Sequence, residues 1–309
     1  MHREVQHIIE DIKALRIQGA RNVAKSAVEA FAIAARESNA KTAASFTKEL
    51  RQTAETLSLA RPTEPMMRNI LEEAATFAAT ASKKTSKVLE IRRLVLAHEQ
   101  GMLKRLEEDA KRLASYGARI IPDDAIVLTH CHSSSTTAIM KEAKRMRKKF
   151  SVVCFETRPR YQGRITATEL AKAGIDVTLA VDGAMNLFMK KADIVIVGAD
   201  SVTSRGDLIN KIGTCSLAHI ARINDVSFYS AAELFKYSPM TVYGTREKIE
   251  ERDPKEVWDK APRGIKIRNP AFEATAAKYI SGYVTEAGVI PPQSFFAVAS
   301  EKLGIKLYE

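Results

Sequence analysis

Cysteine is scarce in this chain and poorly placed for a structural role. The three thiols, Cys131, Cys154 and Cys215, are odd in number and form no CxxC pair. That argues against a disulfide scaffold or a thiolate zinc site and fits a reducing cytosol. No signal peptide and no apolar run approaching about twenty residues is present, so the expectation is a soluble cytoplasmic protein. Neither G-x-G-x-x-G after the first strand pattern nor G-x-x-x-x-G-K-S/T occurs, which removes the usual sequence support for nucleotide chemistry. Aromatics make up only 6% of the residues, and none interrupts the one strongly basic run, residues 141–149. A nucleic-acid strand would have nothing to stack on there, and a solvated helix end explains the run better.

What the chain has in excess is positive charge, a formal +11 over 309 residues. Such a balance invites a polyanion, an acidic surface or a phosphorylated metabolite, and charge alone does not choose among them. The length admits two domains, or one large α/β domain with an extension.

As far as about Gly117 the pattern is helical. Val5, Ile8, Ile9, Ile12 and Leu15 recur at helical spacing, and Val23, Ala24, Ala27, Val28, Ala30, Phe31 and Ala34 repeat it. Further helices are expected over residues 42–60, ended by Arg61-Pro62, over 65–80, and over 86–116. Two joints stand out, residues 16–21 and 61–63, because each sets arginine beside a backbone break. Either could hold a phosphate, and either could be a surface arginine near a helix end.

A turn cluster at residues 120–124 marks the expected boundary between a helical domain, 1–118, and a second domain, 119–309. Short apolar runs then alternate with helical patterns. The expected strands are 125–129, 152–155, 177–181, 194–197, 226–230 and 282–285, and the helices are 133–147, 166–173, 183–190, 211–223 and 294–303. This alternation predicts an α/β fold, a Rossmann-like parallel sheet with right-handed crossovers.

Residues 193–214 concentrate the functional signal. Four β-branched residues from Ile194 to Val197 read as a strand buried on both faces, Gly198 and Ala199 permit close approach, and Asp200 stands at the strand's carboxyl end. Asn210, Lys211 and Gly213 follow at the expected start of a helix, where free N–H groups and a lysine would suit an anion. The plain alternative is an ordinary βα connection with a solvated Asp and Lys. The other strand ends carry His130-Cys131-His132, Glu156-Thr157-Arg158, Asp182, Glu233 with Lys236, and Glu286. A parallel sheet gathers such ends along one edge, so these groups should surround one crevice.

Cys131 precedes a run of hydroxyl residues, from Ser133 to Thr137, that opens a helix. A thiol there, near cations, is expected to have a lowered pKa, and the same N–H groups and hydroxyls would suit a phosphate. Cys154, inside a strand, and Cys215, inside a helix, read as core. His130 and His132 would share one face of an extended segment, but no third ligand at a recognisable spacing completes a metal site.

Taken in order, THCHSSS (129–135), ETRPRYQG (156–163), GADSV with NKIGT, AAELFK (231–236), NPAFE (269–273) and GVIPP (288–292) resemble one superfamily over nearly the whole chain. It comprises the alpha, beta and delta subunits of translation initiation factor 2B, methylthioribose-1-phosphate isomerase and archaeal ribose-1,5-bisphosphate isomerase. The resemblance implies that Cys131 and Asp200 match the catalytic pair of the isomerases, a pair the initiation-factor subunits generally lack. Lys236 in AAELFKYSP matches a substrate-phosphate lysine of the bisphosphate enzymes, which makes these the best match. The alternatives are a non-catalytic homologue of the initiation-factor subunit and the methylthioribose enzyme. One departure is Gln18-Gly19-Ala20-Arg21, where the bisphosphate enzymes usually carry Arg-Gly-Ala-Gly.

The reaction this resemblance implies is conversion of α-D-ribose 1,5-bisphosphate to ribulose 1,5-bisphosphate, feeding a Rubisco in nucleoside salvage. Cys131 would take the C2 proton and Asp200 would protonate the ring oxygen and shuttle protons between oxygens, with a hydride shift as the other route. Gln18, Gly19, Ala20, Arg21, Arg61, Ser133, Ser134, Ser135, Arg158, Asn210, Lys211 and Lys236 would hold the phosphates and hydroxyls. No metal or cofactor is called for, since hydrogen-bond donors can stabilise an enediolate. The same resemblance implies a dimer assembled into a hexamer, and AMP as an activator.

Overall fold

The computed structural model describes residues 2–304. The first part is all helix: α1 (Arg3–Lys13), α2 (Ala20–Glu37), α3 (Ala43–Ala60), α4 (Pro65–Lys84) and α5 (Val88–Ile120). The ends follow from local chemistry. The Thr42 side chain accepts the Ser45 N–H while Ser45 reciprocates at the Thr42 backbone, a capping box that starts α3. Pro62 cannot continue that helix, whereas Pro65 suits the first turn of α4, where its missing N–H costs nothing. Leu15, expected on the α1 stripe, instead follows the helix in the left-handed region at φ 57° and begins the joint to α2. Alanine fills much of the buried face of α2, so that α1, α3 and α4 can pack against it closely.

The chain divides into two compact units between Glu108 and Asp109, within α5. The second contains a seven-stranded sheet in the order β10-β9-β7-β4-β1-β2-β3. Its strands are β1 (Ala125–His130), β2 (Phe150–Phe155), β3 (Asp176–Ala180), β4 (Ile194–Gly198), β7 (Ser227–Ala231), β9 (Gly282–Thr285) and β10 (Gly288–Ile290). The helices are α6 (Ser134–Arg145), α7 (Gln162–Lys172), α8 (Met185–Met189), α9 (Thr214–Ile223) and α10 (Phe295–Leu303). The order runs outward from β1 to β3, then reverses and runs outward again from β4. Between β1 and β4 lies the topological switch point, where open α/β sheets leave a crevice at the strands' carboxyl ends.

Strand periodicity sorts the core into two layers. Val127, Val152, Cys154, Ile194 and Ile196 pack on Leu113 and Ala118 of α5, Ile139 of α6 and Leu170 of α7. Their neighbours Leu128, Val153, Phe155, Val195 and Val197 pack on Met189 of α8, Leu217 of α9 and Phe295 of α10. Both faces are thus covered, which is why the central strands read as unbroken apolar runs.

Four features depart from the sequence reading. The edge strand β10 runs antiparallel to β9. A second, antiparallel sheet of β5 (Ser201–Val202), β6 (Leu208–Lys211) and β8 (Phe272–Thr275) follows β4, and its strands of two to four residues are too short for a period to register. Lys211 consequently ends a strand, and the helix expected from it begins at Thr214. Cys154 lies in the core as expected, whereas Cys215 is only half-buried.

Candidate active site

Three adjacent strand ends are tied to one another around Cys131. After β1 the backbone turns into the left-handed region at Cys131, φ 68°, and after β2 it does the same at Thr157, φ 66°. Neither residue is glycine, and such a conformation costs about 1–3 kcal/mol unless the surroundings enforce it. They do so here. The Cys131 N–H donates to Thr157 Oγ1 at 2.9 Å, and Thr166 Oγ1 donates to the Cys131 carbonyl at 2.9 Å. Asp182, beyond β3, accepts the Thr157 and Arg158 N–H groups at 2.8 and 2.7 Å.

The Cys131 thiol is pushed up to about 11, opposite to the expected direction. Burial is the main cause; Lys211 pulls the value down, while Asp200 and Asp182 push it up. Asp200 and Lys211, some seventy and eighty residues further along, thus act electrostatically on the thiol. The helix that was expected to activate it begins only at Ser134, behind the Ser133 cap, whose Oγ is turned to the Thr136 N–H at 3.4 Å.

The left-handed turn at Cys131 also separates the two histidines that an extended segment would have placed together. His130 is buried beside Gly213, with Nε2 3.8 Å from Asp182 Oδ1, and burial pushes its imidazole down to about 4, so it is neutral. His132 faces Thr166, Nδ1 to Oγ1 at 3.0 Å, and its Nε2 lies 3.9 Å from Glu169.

Asp200 follows β4, its N–H donating to the Ile209 carbonyl at 3.0 Å. The glycine before it is required. A Cβ on Gly198 would lie 2.6 Å from the Ser133 Cβ, so only glycine lets the start of α6 approach the end of β4. The turn after β6 differs from expectation. Gly213 and Cys215 donate their N–H groups to Glu273 Oε1 at 2.6 and 2.9 Å, so the protein's own carboxylate occupies the N-terminus of α9 that was expected to take an anion. Asn210 is buried and donates to Thr214 Oγ1 at 3.1 Å, while the Lys211 ammonium lies 4.7 Å from the centre of the Phe272 ring.

Further along the sheet edge, Lys236 is 4% exposed and its Nζ lies 2.9 Å from Glu233 Oε2. Ser135, in the first turn of α6, donates to the other oxygen of Glu233 at 3.0 Å. Ser134 is exposed. Arg158 is held through its backbone by Asp182, but its guanidinium is engaged by Tyr161 Oη at 2.7 Å and the Val257 carbonyl at 3.0 Å. The α/β unit therefore gathers Cys131, Asp200 and Lys211 around the thiol and Ser135 with Lys236 around Glu233. Thr157 and Glu233 stand at strand ends and Glu273 closes the NPAFE motif, yet nothing local in the sequence gives any of the three a role; their position within the motifs is the available signal.

The remaining expected residues lie in the helical unit. Gly19, φ 85°, caps the 18-residue helix α2 without a side-chain hydrogen bond, and Ala20 and Arg21 form its first turn. Gln18 Nε2 donates to the Leu15 carbonyl at 2.7 Å. Arg61 places Nη2 3.1 Å from Glu64 Oε1, and its Nε and Nη1 are buried without a hydrogen-bond partner. Two N–H groups in that condition suit an anion.

Ribose 1,5-bisphosphate isomerase of Pyrococcus furiosus is 38% identical over 307 residues, covering 98% of this chain and 95% of the relative. The protein of that name from Archaeoglobus fulgidus is also 38% identical over 307 residues, covering 97% and 94%. Among solved structures, the Pyrococcus horikoshii translation initiation factor eIF-2B superposes with a TM-score of 0.81 at 32% identity, covering 94% of this chain and 98% of that one. The profile of the initiation factor 2 subunit family matches residues 16–292, and the chain belongs to that family.

Proposed function

We propose that this protein is an aldose–ketose isomerase that converts α-D-ribose 1,5-bisphosphate to D-ribulose 1,5-bisphosphate. The observation that supports the reading is that Cys131 and Asp200 follow the adjacent strands β1 and β4 at the switch point of the sheet and interact electrostatically, in a chain with four archaeal relatives of that name at 36–38% identity over nearly their whole length.

The C1 phosphoester keeps the furanose closed until the ring oxygen is protonated. Asp200 donates that proton as the bond from C1 to the ring oxygen breaks, and the Cys131 thiolate takes the proton from C2, which leaves an enol phosphate across C1 and C2. Cys131 then returns its proton to C1, and the O2 proton passes to Asp200 as the C2 carbonyl forms. Both groups end in their starting states, so the net change is isomerisation. Lys211 stabilises the thiolate, and the donors at Ser133, Ser134, Ser135, Arg158, Asn210 and Lys236 serve the phosphates and hydroxyls; in the helical unit, taken by itself, Gln18, Gly19, Ala20, Arg21 and Arg61 are the phosphate-binding candidates. To the same proposal belong assembly as a dimer built into a hexamer, activation by AMP, and a cytoplasmic location; among the described residues no helix is long and apolar enough to cross a membrane.

The test is turnover of ribose 1,5-bisphosphate by the purified protein, with methylthioribose 1-phosphate offered in parallel. Cys131→Ser and Asp200→Asn should each abolish conversion while the circular-dichroism spectrum stays unchanged. Undiminished turnover in either variant, or preference for the methylthio sugar, overturns the reading.

A further inference from the structure

We infer that Glu233 is a positioning residue for Lys236, fixing the buried ammonium in advance of the phosphate it binds; this rests on the isomerase reading above. Burying an ammonium is costly unless a counter-charge and hydrogen bonds accompany it. Lys236 is 4% exposed, Glu233 is 2% exposed, and Nζ stands 2.9 Å from Oε2. The local backbone produces the pair. A 3-10 turn over Leu234–Lys236 brings the Lys236 N–H onto the Glu233 carbonyl at 2.9 Å and folds the lysine back over the carboxylate three residues earlier.

The other carboxylate oxygen reaches across the sheet edge. Glu233 Oε1 accepts the Ser135 hydroxyl at 3.0 Å, and Ser135 lies in the first turn of the helix that begins just after Cys131. One side chain thereby joins the lysine beyond β7 to the helix that follows the thiol. The turn is anchored from behind as well. Glu286 accepts the Leu234 N–H at 3.1 Å, and Lys302 bridges Glu286 and Asp109 at 2.6 and 2.5 Å. Lys302 thus supplies the counter-charge for Glu286, and Glu233 remains to balance Lys236. An ammonium has three N–H donors, and an ion pair to one carboxylate oxygen at 2.9 Å leaves at least two of them for phosphate oxygens. Holding Lys236 in one geometry beforehand reduces the ordering cost when the ligand arrives.

The test is a double-mutant cycle on the full-length protein with ribose 1,5-bisphosphate. Glu233→Gln is expected to raise KM about tenfold and to change kcat by less than about threefold, with Glu233→Asp recovering part of the loss. In a Lys236→Met background the same Glu233→Gln change should alter KM by less than about twofold, because the group it positions is gone. A merely structural role would lower both backgrounds alike, so equal effects in the two, or an unchanged KM in Glu233→Gln, overturn the inference. Where Glu233→Gln does not fold, Glu233→Asp carries the same cycle. Failure of the wild-type protein to turn over the sugar sinks the isomerase reading alone; the cycle is then read in the Kd for inorganic pyrophosphate, where additivity again overturns the coupling.

Discussion

The Cys131 N–H donates to Thr157 Oγ1 at 2.9 Å, and both residues hold a positive φ without being glycine. Two strained backbones at neighbouring strand ends support each other, and the thiol's place depends on that hydroxyl together with the Thr166 hydroxyl on the Cys131 carbonyl. Thr157→Val keeps the shape and removes the acceptor, leaving the Cys131 N–H unsatisfied. We expect a loss of about 1–3 kcal/mol in stability and at least a tenfold loss in kcat/KM, read by chemical denaturation and steady-state kinetics. A variant with wild-type activity would show that Cys131 is held by other means.

The thiol at about 11 has a direct consequence for reactivity. At pH 8 only about one molecule in a thousand carries the thiolate at this position. The alkylation rate of Cys131 by iodoacetamide should therefore climb about tenfold per pH unit from pH 7 to 10 without levelling. Lys211→Met removes the cation that pulls the thiol down and should slow alkylation at every pH in that range. A plateau near pH 8 in the wild type would contradict the raised value.

Gly198 tests how closely α6 must approach the sheet. Alanine there would set its Cβ 2.6 Å from Ser133 Cβ and 2.7 Å from its Oγ, and a short side chain on a helix cap has no way to swing clear. The helix start must shift. Gly198→Ala should cost about 1–3 kcal/mol and most of the activity, measured by thermal unfolding and turnover, whereas Gly183→Ala, whose Cβ would meet nothing within 4 Å, should change neither appreciably.

In the helical unit, His98 stacks on Phe77 with ring centres 3.9 Å apart and lies between Glu73 and Glu99, at 3.5 and 3.9 Å. Burial opposes its charge, but the two carboxylates beside it, Glu73 and Glu99, outweigh that and raise it to about 9. A raised histidine favours the protonated fold. Its stabilisation is complete below about pH 6.5, the ordinary histidine value, and is lost as the pH rises through about 9. The melting temperature should fall over that window, and His98→Gln should flatten the fall by about 4 °C. An identical pH profile in the variant would exclude this contribution.

Much of the fold was legible because a doubly covered parallel sheet leaves a strong one-dimensional trace. Runs such as Ile194 to Val197, separated by helical patterns, admit few other arrangements, and the shared strand direction alone predicts that Cys131, Asp200 and Lys236 end on one edge. The small sheet of β5, β6 and β8 escaped because two to four residues hold too little period.

The sequence by itself determined the strand-and-helix alternation, the family motifs, and which residues stand at strand ends. These depend on local propensity and on order along the chain. Only the tertiary structure decided the charge state of Cys131, because burial and the nearness of Lys211, Asp200 and Asp182 are properties of distance between segments far apart in the chain. It likewise decided that Glu273 takes the N–H groups at the start of α9, and that Glu233 binds Ser135 and Lys236 with the two oxygens of one carboxylate. A carboxylate at a strand end can face solvent, substrate or a buried partner, and only the packed neighbours select among them.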